Sequence, residues 1–205
     1  MRWKLHSYVA ILFACRLPPS LLFFIIQHYD NGKMSQHLKH MEVGDTIEFK
    51  HIDFNVKIQA PFAQKRIGMI VGGTGITPMI QALHAILGDD KCDTKVVMLY
   101  GSRISTDILA GDLLKAWEEM YPERLEVVHV LSHEPDDSDW KGKKGFINKD
   151  LIQQKFAPPS EGNDVLIMVC GPPPMYNAFC GPRDTKEVTG ILDEIGYDSS
   201  QVYKF

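Results

Sequence analysis

The 205-residue sequence has no basic stripe, no cysteine pair at zinc-ligand spacing, and no unbroken apolar run of membrane-spanning length. A formal charge of −4, from 22 Lys and Arg against 26 Asp and Glu, gives no support to nucleic-acid binding. The four cysteines, Cys15, Cys92, Cys170 and Cys180, are isolated. They do not form a disulfide framework, so a reducing compartment is the default. Of the eight histidines, only His129 and His133 fall at a His-x-x-x-His spacing. They lie on and just after a predicted strand, where about 3.3 Å per residue holds them too far apart to share a metal. A metal site is not expected. Internal repeats and low-complexity tracts are also lacking, and 44% hydrophobic with 23% charged residues is the profile of a soluble globular protein.

The first 27 residues are the odd region. Two apolar runs, residues 8–15 and 21–26, are separated by Arg16, Pro18 and Pro19. A transmembrane helix needs about twenty mainly apolar residues, and the proline pair interrupts any helix before that length. Arg2 and Lys4 ahead of an apolar stretch fit a signal peptide. A membrane anchor, a signal and a sequence accident all remain open, the accident ranked slightly ahead.

Further on, residues 21–29 read as a strand closed by the turn signal Asp30-Asn31-Gly32, residues 34–41 as a short helix, and residues 43–49 as a strand with which 54–58 pairs. From Ile67 the order becomes strand–helix. Strands are predicted over 67–71, 95–100, 125–131 and 165–169; helices over 78–87, 106–120, 148–156, 172–179 and 187–195. Such alternation implies an α/β fold, a parallel sheet covered on both faces. The alternation places a nucleotide-binding domain over 63–205, and an apolar leader covers 1–20.

Two turns carry most of the chemistry. The first is Gly72-Gly73-Thr74-Gly75-Ile76-Thr77-Pro78-Met79, the second Cys170-Gly171-Pro172-Pro173-Pro174-Met175. Each follows an apolar strand and opens a helix, which places backbone N–H groups and little side-chain bulk where nucleotides bind in open α/β sheets. The fingerprint G-x-G-x-x-G is half met, because Pro78 stands at the last glycine, so an ordinary pyrophosphate loop is not expected. Cys170 lacks a nearby base in the sequence, and a role in shaping a hydride-transfer pocket fits it better than nucleophilic attack. A weaker motif, Gly32-Lys33-Met34-Ser35-Gln36, suits either a pyrophosphate or an ordinary capped turn.

The three motifs, in this order, closely resemble those of the NADH–cytochrome b5 reductase family, within the wider group of ferredoxin–NADP reductase-like flavoproteins. Val43-Gly44-Asp45, Gly145-Phe146 and the terminal Val202-Tyr203-Lys204-Phe205 add to the likeness, which covers about residues 21–205. The resemblance implies a parallel-sheet nicotinamide-binding domain beside a partial antiparallel β-barrel flavin domain, with residues 21–62 the remnant of that barrel and with FAD and NADH as cofactors. It implies that Gly32, Lys33, Met34 and Ser35 hold the FAD pyrophosphate. Thr74 and Thr77 would lie against flavin and cofactor, with Gly72, Gly73, Gly75 and Pro78 providing the close approach. Cys170, Gly171, Pro172 and Met175 would flank the nicotinamide, and Phe205 would lie near the flavin ring. Thr74 and Cys170 are the residues it places at the reacting atoms.

Hydride would pass from NADH to FAD, and single electrons to cytochrome b5 or a similar haem protein. The implied location is the cytoplasmic face of the endoplasmic reticulum or the mitochondrial outer membrane, with association through residues 1–26; without an anchor there, the protein is cytoplasmic. The family's Arg-x-Tyr-[Ser/Thr] flavin segment is not present ahead of Gly32, since neither Arg2 nor Arg16 has a Tyr two residues later. This chain therefore reads as an amino-terminally incomplete member, with a catalytically impaired NAD-binding module as the alternative. Ser132 falls where many relatives carry an acid that favours NADH over NADPH, and Glu134 is the residue placed to serve instead.

Overall fold

The computed structural model describes residues 9–13, 22–26, 30–48 and 61–205. The two apolar runs of the leader contain β1 (Val9–Phe13) and β2 (Leu22–Ile26), paired antiparallel from Val9 opposite Ile26 to Phe13 opposite Leu22. After the turn at Asp30 comes α1 (Lys33–Lys39). The strand expected over 43–49 is not formed in its described part. Residues 43–48 are a turn and irregular chain, closed by the Glu42 N–H donating to Asp45 Oδ2 at 2.8 Å. The Asp45 carboxylate supplies a local acceptor that competes with a ladder. Phe49 and the partner run 54–58 lie outside the described residues.

The remainder builds a six-stranded parallel sheet. Its strands are β3 (Arg66–Gly72), β4 (Lys95–Ser102), β5 (Leu125–Leu131), β6 (Lys143–Lys144), β7 (Val165–Cys170) and β8 (Val202–Lys204). Their spatial order is β6-β5-β4-β3-β7-β8. The chain winds outward from β3 in one direction, then crosses back to β7 on its other side. The order therefore reverses between β3 and β7, and a crevice opens above their carboxyl ends. Both strands carry unbroken apolar runs because both faces are covered. The edges β6 and β8 are two and three residues long and carry Lys143, Lys144 and Lys204. Short, lysine-bearing edges resist pairing with another chain.

One face is covered by α2 (Ile76–Leu87) and α3 (Gly111–Met120). Met69, Val71, Met98 and Tyr100 point into that layer, against Ile76, Met79, Leu83 and Leu114. On the other face lie α4 (Lys149–Lys155), α5 (Pro173–Phe179) and α6 (Ile191–Ile195), packed on Ile70, Leu99, Ile167 and Val169. Two helices are shorter than their periodicity predicts. The pattern over 106–120 breaks into a 3-10 turn (Ser105–Asp107), an extended Ile108 and a left-handed Ala110 before α3 begins. The Leu109 N–H donates to the Tyr100 hydroxyl at 3.2 Å, a bond to the sheet in place of a helical one. Of residues 187–195, only Ile191–Ile195 is helical, entered through Gly190 at φ 73°.

Candidate functional site

The first turn continues β3 as a 3-10 turn (Gly73–Gly75) leading into α2. The second leaves β7 at Cys170 and opens α5 with Pro172 as its N-cap residue. Since Val71 lies opposite Cys170 in the parallel register, both turns emerge side by side at the point where the strand order reverses. They touch through their glycines. A Cβ on Gly75 would lie 2.2 Å from the Cys170 carbonyl oxygen, and one on Gly72 would lie 2.2 Å from Met175 Sδ and 2.9 Å from Pro172 Cδ. Only glycine permits that approach of backbone to backbone.

Gly73 differs from its neighbours. It sits at φ 52°, in the left-handed region, with nothing within 4 Å of the place a Cβ would occupy. The conformation needs glycine and leaves open space above the turn. Its carbonyl is fixed from below by the Tyr100 hydroxyl, which donates at 3.2 Å. Thr77 is buried and its Oγ1 donates to the Thr74 carbonyl at 3.2 Å, while Thr74 is half-buried. Pro78 occupies the first turn of α2, where a helix has no intrahelical acceptor for an N–H. The Ile76 N–H is already bonded back to the Gly73 and Thr74 carbonyls within the 3-10 turn, so this opening offers little free amide to an anion.

In the second turn, burial pushes the Cys170 thiol up, and the neighbouring Tyr176 hydroxyl and Arg183 only partly offset this. At neutral pH Cys170 is a neutral thiol, which agrees with a shaping role and not with a thiolate nucleophile. Met175 lies against both Gly72 and Gly171, so its side chain fills the seam between the turns. Phe205 closes this end. Its N–H donates to the Val169 carbonyl at 3.1 Å, its carbonyl accepts from the Tyr176 hydroxyl at 2.7 Å, and its ring meets Tyr203 edge-on at 4.9 Å.

Among the expected flavin-side residues, Gly32 is buried and extended as the N-cap residue of α1; Lys33 and Met34 are exposed. Ser35 is buried and its hydroxyl donates to the Gly32 carbonyl at 3.0 Å, so that proton is turned inward. The Gln36 N–H makes the first helical bond, to Gly32 O at 2.9 Å. The Lys33 and Met34 amides precede that bond and fit an anionic group in the manner expected of a helix opening. The open space over Gly73 and the glycine seam likewise fit a nicotinamide nucleotide.

Three side chains escaped the sequence reading. Tyr100 lies within an apolar strand run and reads as core. Tyr176 and Arg183 follow the second turn without a recognisable spacing. Ser132 stands just past β5, with its N–H donating to Ser102 O at 3.0 Å. Glu134 does not stand free beside it, as the expected substitute role requires. Its two oxygens accept from the Ser105 N–H at 2.6 Å and the Ser105 hydroxyl at 2.9 Å.

Comparison with known proteins matches this arrangement. Residues 69–181, more than half of the chain, match the model of the oxidoreductase NAD-binding domain family. Residues 20–72 match that of the oxidoreductase FAD-binding domain. NADH-cytochrome b5 reductase 2 of Saccharomyces cerevisiae is 40% identical over 185 residues, which are 88% of this chain and 60% of that protein. Its namesake from Neosartorya fischeri is 41% identical over 191 residues, 91% of this chain and 58% of that one. The chain thus spans about 60% of the length of these curated relatives. Among solved structures, the cytochrome b5 reductase domain of Ulva prolifera nitrate reductase superposes with a TM-score of 0.70 at 27% identity, over 90% of this chain and 72% of that one. A ferredoxin NADP+ reductase from Neisseria gonorrhoeae, with FAD and NADP bound, shares the fold at a TM-score of 0.59 and 19% identity, over 89% and 72% of the two chains. With its NAD-binding model matched across both glycine turns, the chain belongs to the family of oxidoreductase NAD-binding domains, joined to part of an FAD-binding domain and akin to the NADH–cytochrome b5 reductases.

Proposed function

We propose that this chain acts as a flavin-dependent NADH oxidoreductase that passes electrons singly to cytochrome b5 or a similar haem protein. The observation that carries the reading is the meeting of two glycine turns at the reversal between β3 and β7, with open space over Gly73. NADH and FAD supply hydride transfer and the splitting of an electron pair; the protein supplies binding, orientation and exclusion of side reactions. The bond from the Thr77 hydroxyl to the Thr74 carbonyl holds the first turn in shape for the nucleotide. Gly171, Pro172 and Met175 give the nicotinamide a rigid apolar wall, and the neutral Cys170 thiol borders it. Phe146, 72% exposed and edge-on to His133 at 6.4 Å, would offer a ring face for a nucleotide base to stack on.

The test is an absorbance spectrum of the purified protein after incubation with FAD and gel filtration, followed by NADH-driven ferricyanide reduction. Visible flavin bands together with turnover are expected. Loss of the flavin on the column and no turnover would defeat the enzyme reading for this chain. A nicotinamide-nucleotide-binding module without turnover is the second reading, favoured by the Ser35 hydroxyl being turned to the Gly32 carbonyl rather than outward. It predicts NADH binding by calorimetry and no retained FAD.

The haem acceptor class leads to a membrane-facing location, at the endoplasmic reticulum or the outer mitochondrial membrane, which cell fractionation tests. Among the described residues no helix is long and apolar enough to cross a membrane.

A further inference from the structure

At the carboxyl end of the sheet, β7 and β8 finish side by side. Ile167 lies opposite Val202 and Val169 opposite Lys204, so the register brings Cys170 beside Phe205. The Phe205 N–H, donating to the Val169 carbonyl at 3.1 Å, carries the ladder one step past the strand. Cys170 and Phe205 both pack on the α2 layer, whereas Tyr176, on α5, is buried in the opposite layer. Its hydroxyl reaches round the end of β7 and donates to the Phe205 carbonyl at 2.7 Å.

Two more groups meet the same oxygen. The Gly171 N–H and the Cys170 thiol both lie within hydrogen-bonding reach of it. One hydroxyl thus spans the end of β7, the second glycine turn and the end of β8. Filling the layer does not require that oxygen, since Phe179, one turn further along α5, fills it with a bare ring. A buried phenol needs one partner, and the Phe205 carbonyl already supplies it. The contacts to Cys170 and Gly171 go beyond that need and serve placement. Arg183 is the charged group that acts on both Cys170 and Tyr176.

We infer that Tyr176 is a positioning residue, whose hydroxyl clamps the Cys170 thiol to the Phe205 main chain and so sets the wall against which a nicotinamide lies. The last clause rests on the nicotinamide-nucleotide reading of the groove. The test is alkylation of the purified full chain by iodoacetamide at mildly alkaline pH, with no need of flavin or turnover. Mass spectrometry of the Cys170 peptide separates this thiol from Cys15, Cys92 and Cys180. In the reaction the thiolate sulfur bonds to the iodoacetamide carbon and iodide leaves. The phenol turns its proton to the thiolate as that forms, so Tyr176→Phe leaves about tenfold less thiolate, with Arg183 unchanged. The higher nucleophilicity of a less acidic thiol restores about threefold of this. Tyr176→Phe should therefore alkylate about threefold more slowly than the parent chain. Asn148→Ala, which loses a helix cap on α4, controls for lost stability and should alkylate at the parent rate.

A tyrosine that only fills the core gives the opposite sign, because a loosened turn exposes the thiol and speeds alkylation. An equal or faster rate in Tyr176→Phe would overturn the inference, and so would an equal slowing in Asn148→Ala. The same peptide reads the nucleotide. NADH should protect Cys170 in the parent chain, and adenosine 5′-monophosphate, which has no nicotinamide, should not. In Tyr176→Phe the NADH concentration that gives half-protection should rise about threefold. Protection at an unchanged concentration would overturn the role of the clamp in setting the wall. No protection by NADH, with the slowing intact, would overturn the nicotinamide reading and leave the clamp standing.

Discussion

At the scale of single residues, the site depends on what touches the two turns from below and from the side. Tyr100 is fully buried, and its hydroxyl joins the Gly73 carbonyl to the Leu109 N–H. Removing that oxygen leaves a half-buried donor and a half-buried acceptor without this partner, at a cost of about 1 kcal/mol. Tyr100→Phe is expected to lose stability of that order in urea unfolding, and an unchanged midpoint would show that the hydroxyl does not brace the turn.

Two glycines of the same turn should respond differently to alanine. Gly73→Ala meets open space and bears only left-handed strain, about 1–2 kcal/mol. Gly75→Ala drives a methyl into the Cys170 carbonyl, which belongs to a central strand end and has no side-chain freedom with which to yield. We expect the Gly75 variant to lose more stability than the Gly73 variant and to bind adenosine 5′-monophosphate at least about tenfold more weakly than the parent chain. Equal effects in the two variants would refute the close contact.

His129 gives a pH effect of definite sign. It stands in β5 between the rings of Tyr100 and Trp140, its Nδ1 buried without a partner among the described residues, and burial lowers its pKa. As pH falls through the ordinary histidine range near 6.5, the unfolded chain takes up a proton at this position that the folded chain resists. Stability contributed by the neutral ring is therefore present above that range and lost below it. Thermal midpoints measured from pH 7.5 down to 5 should fall less steeply for His129→Phe than for the parent chain.

At the scale of elements, the central strands were the most legible. Ile67 to Val71 and Val165 to Val169 are unbroken apolar runs, and such runs mark strands covered on both faces. The start of α4 was legible for a different reason. Asn148 accepts the Leu151 N–H at 2.9 Å, and its side-chain chemistry announces a helix start. Asn148→Ala should cost about 1 kcal/mol in chemical unfolding.

What stayed hidden depends on partners distant in sequence. Nothing local in residues 106–110 says that the Leu109 amide will choose Tyr100, yet that choice delays α3 until Gly111. The edge strand β8 is three residues long and exists only because β7 runs beside it, with Ile167 opposite Val202. In the site, the glycine turns were legible because glycine and proline restrict the backbone wherever they occur. Glu134 was not. Its nearness to Ser132 in sequence promised a free carboxylate, and only the fold brings Ser105 within reach of both its oxygens.

At the scale of the whole molecule, the two apolar layers draw on one stretch of the chain. Among the described residues, every buried member of both layers lies between Ile67 and Tyr197, and the partly buried ones packed against them run from Phe62 to Phe205. Among the described residues, α1 contributes none of these side chains. A unit with its own two-sided core is expected to fold by itself. A fragment of residues 61–205 should therefore unfold in one cooperative transition, coincident by fluorescence and circular dichroism. It keeps the β3–β7 crevice and Phe146, so it should bind adenosine 5′-monophosphate within about threefold of the full chain. It lacks Gly32 to Ser35 and should retain no FAD on gel filtration. A fragment that folds and binds the nucleotide but not the flavin would assign the nucleotide groove to the sheet alone and the flavin to the part before Pro61. A fragment without a cooperative transition would show that residues before Pro61 complete the core, and the division of labour between the two halves would have to be abandoned.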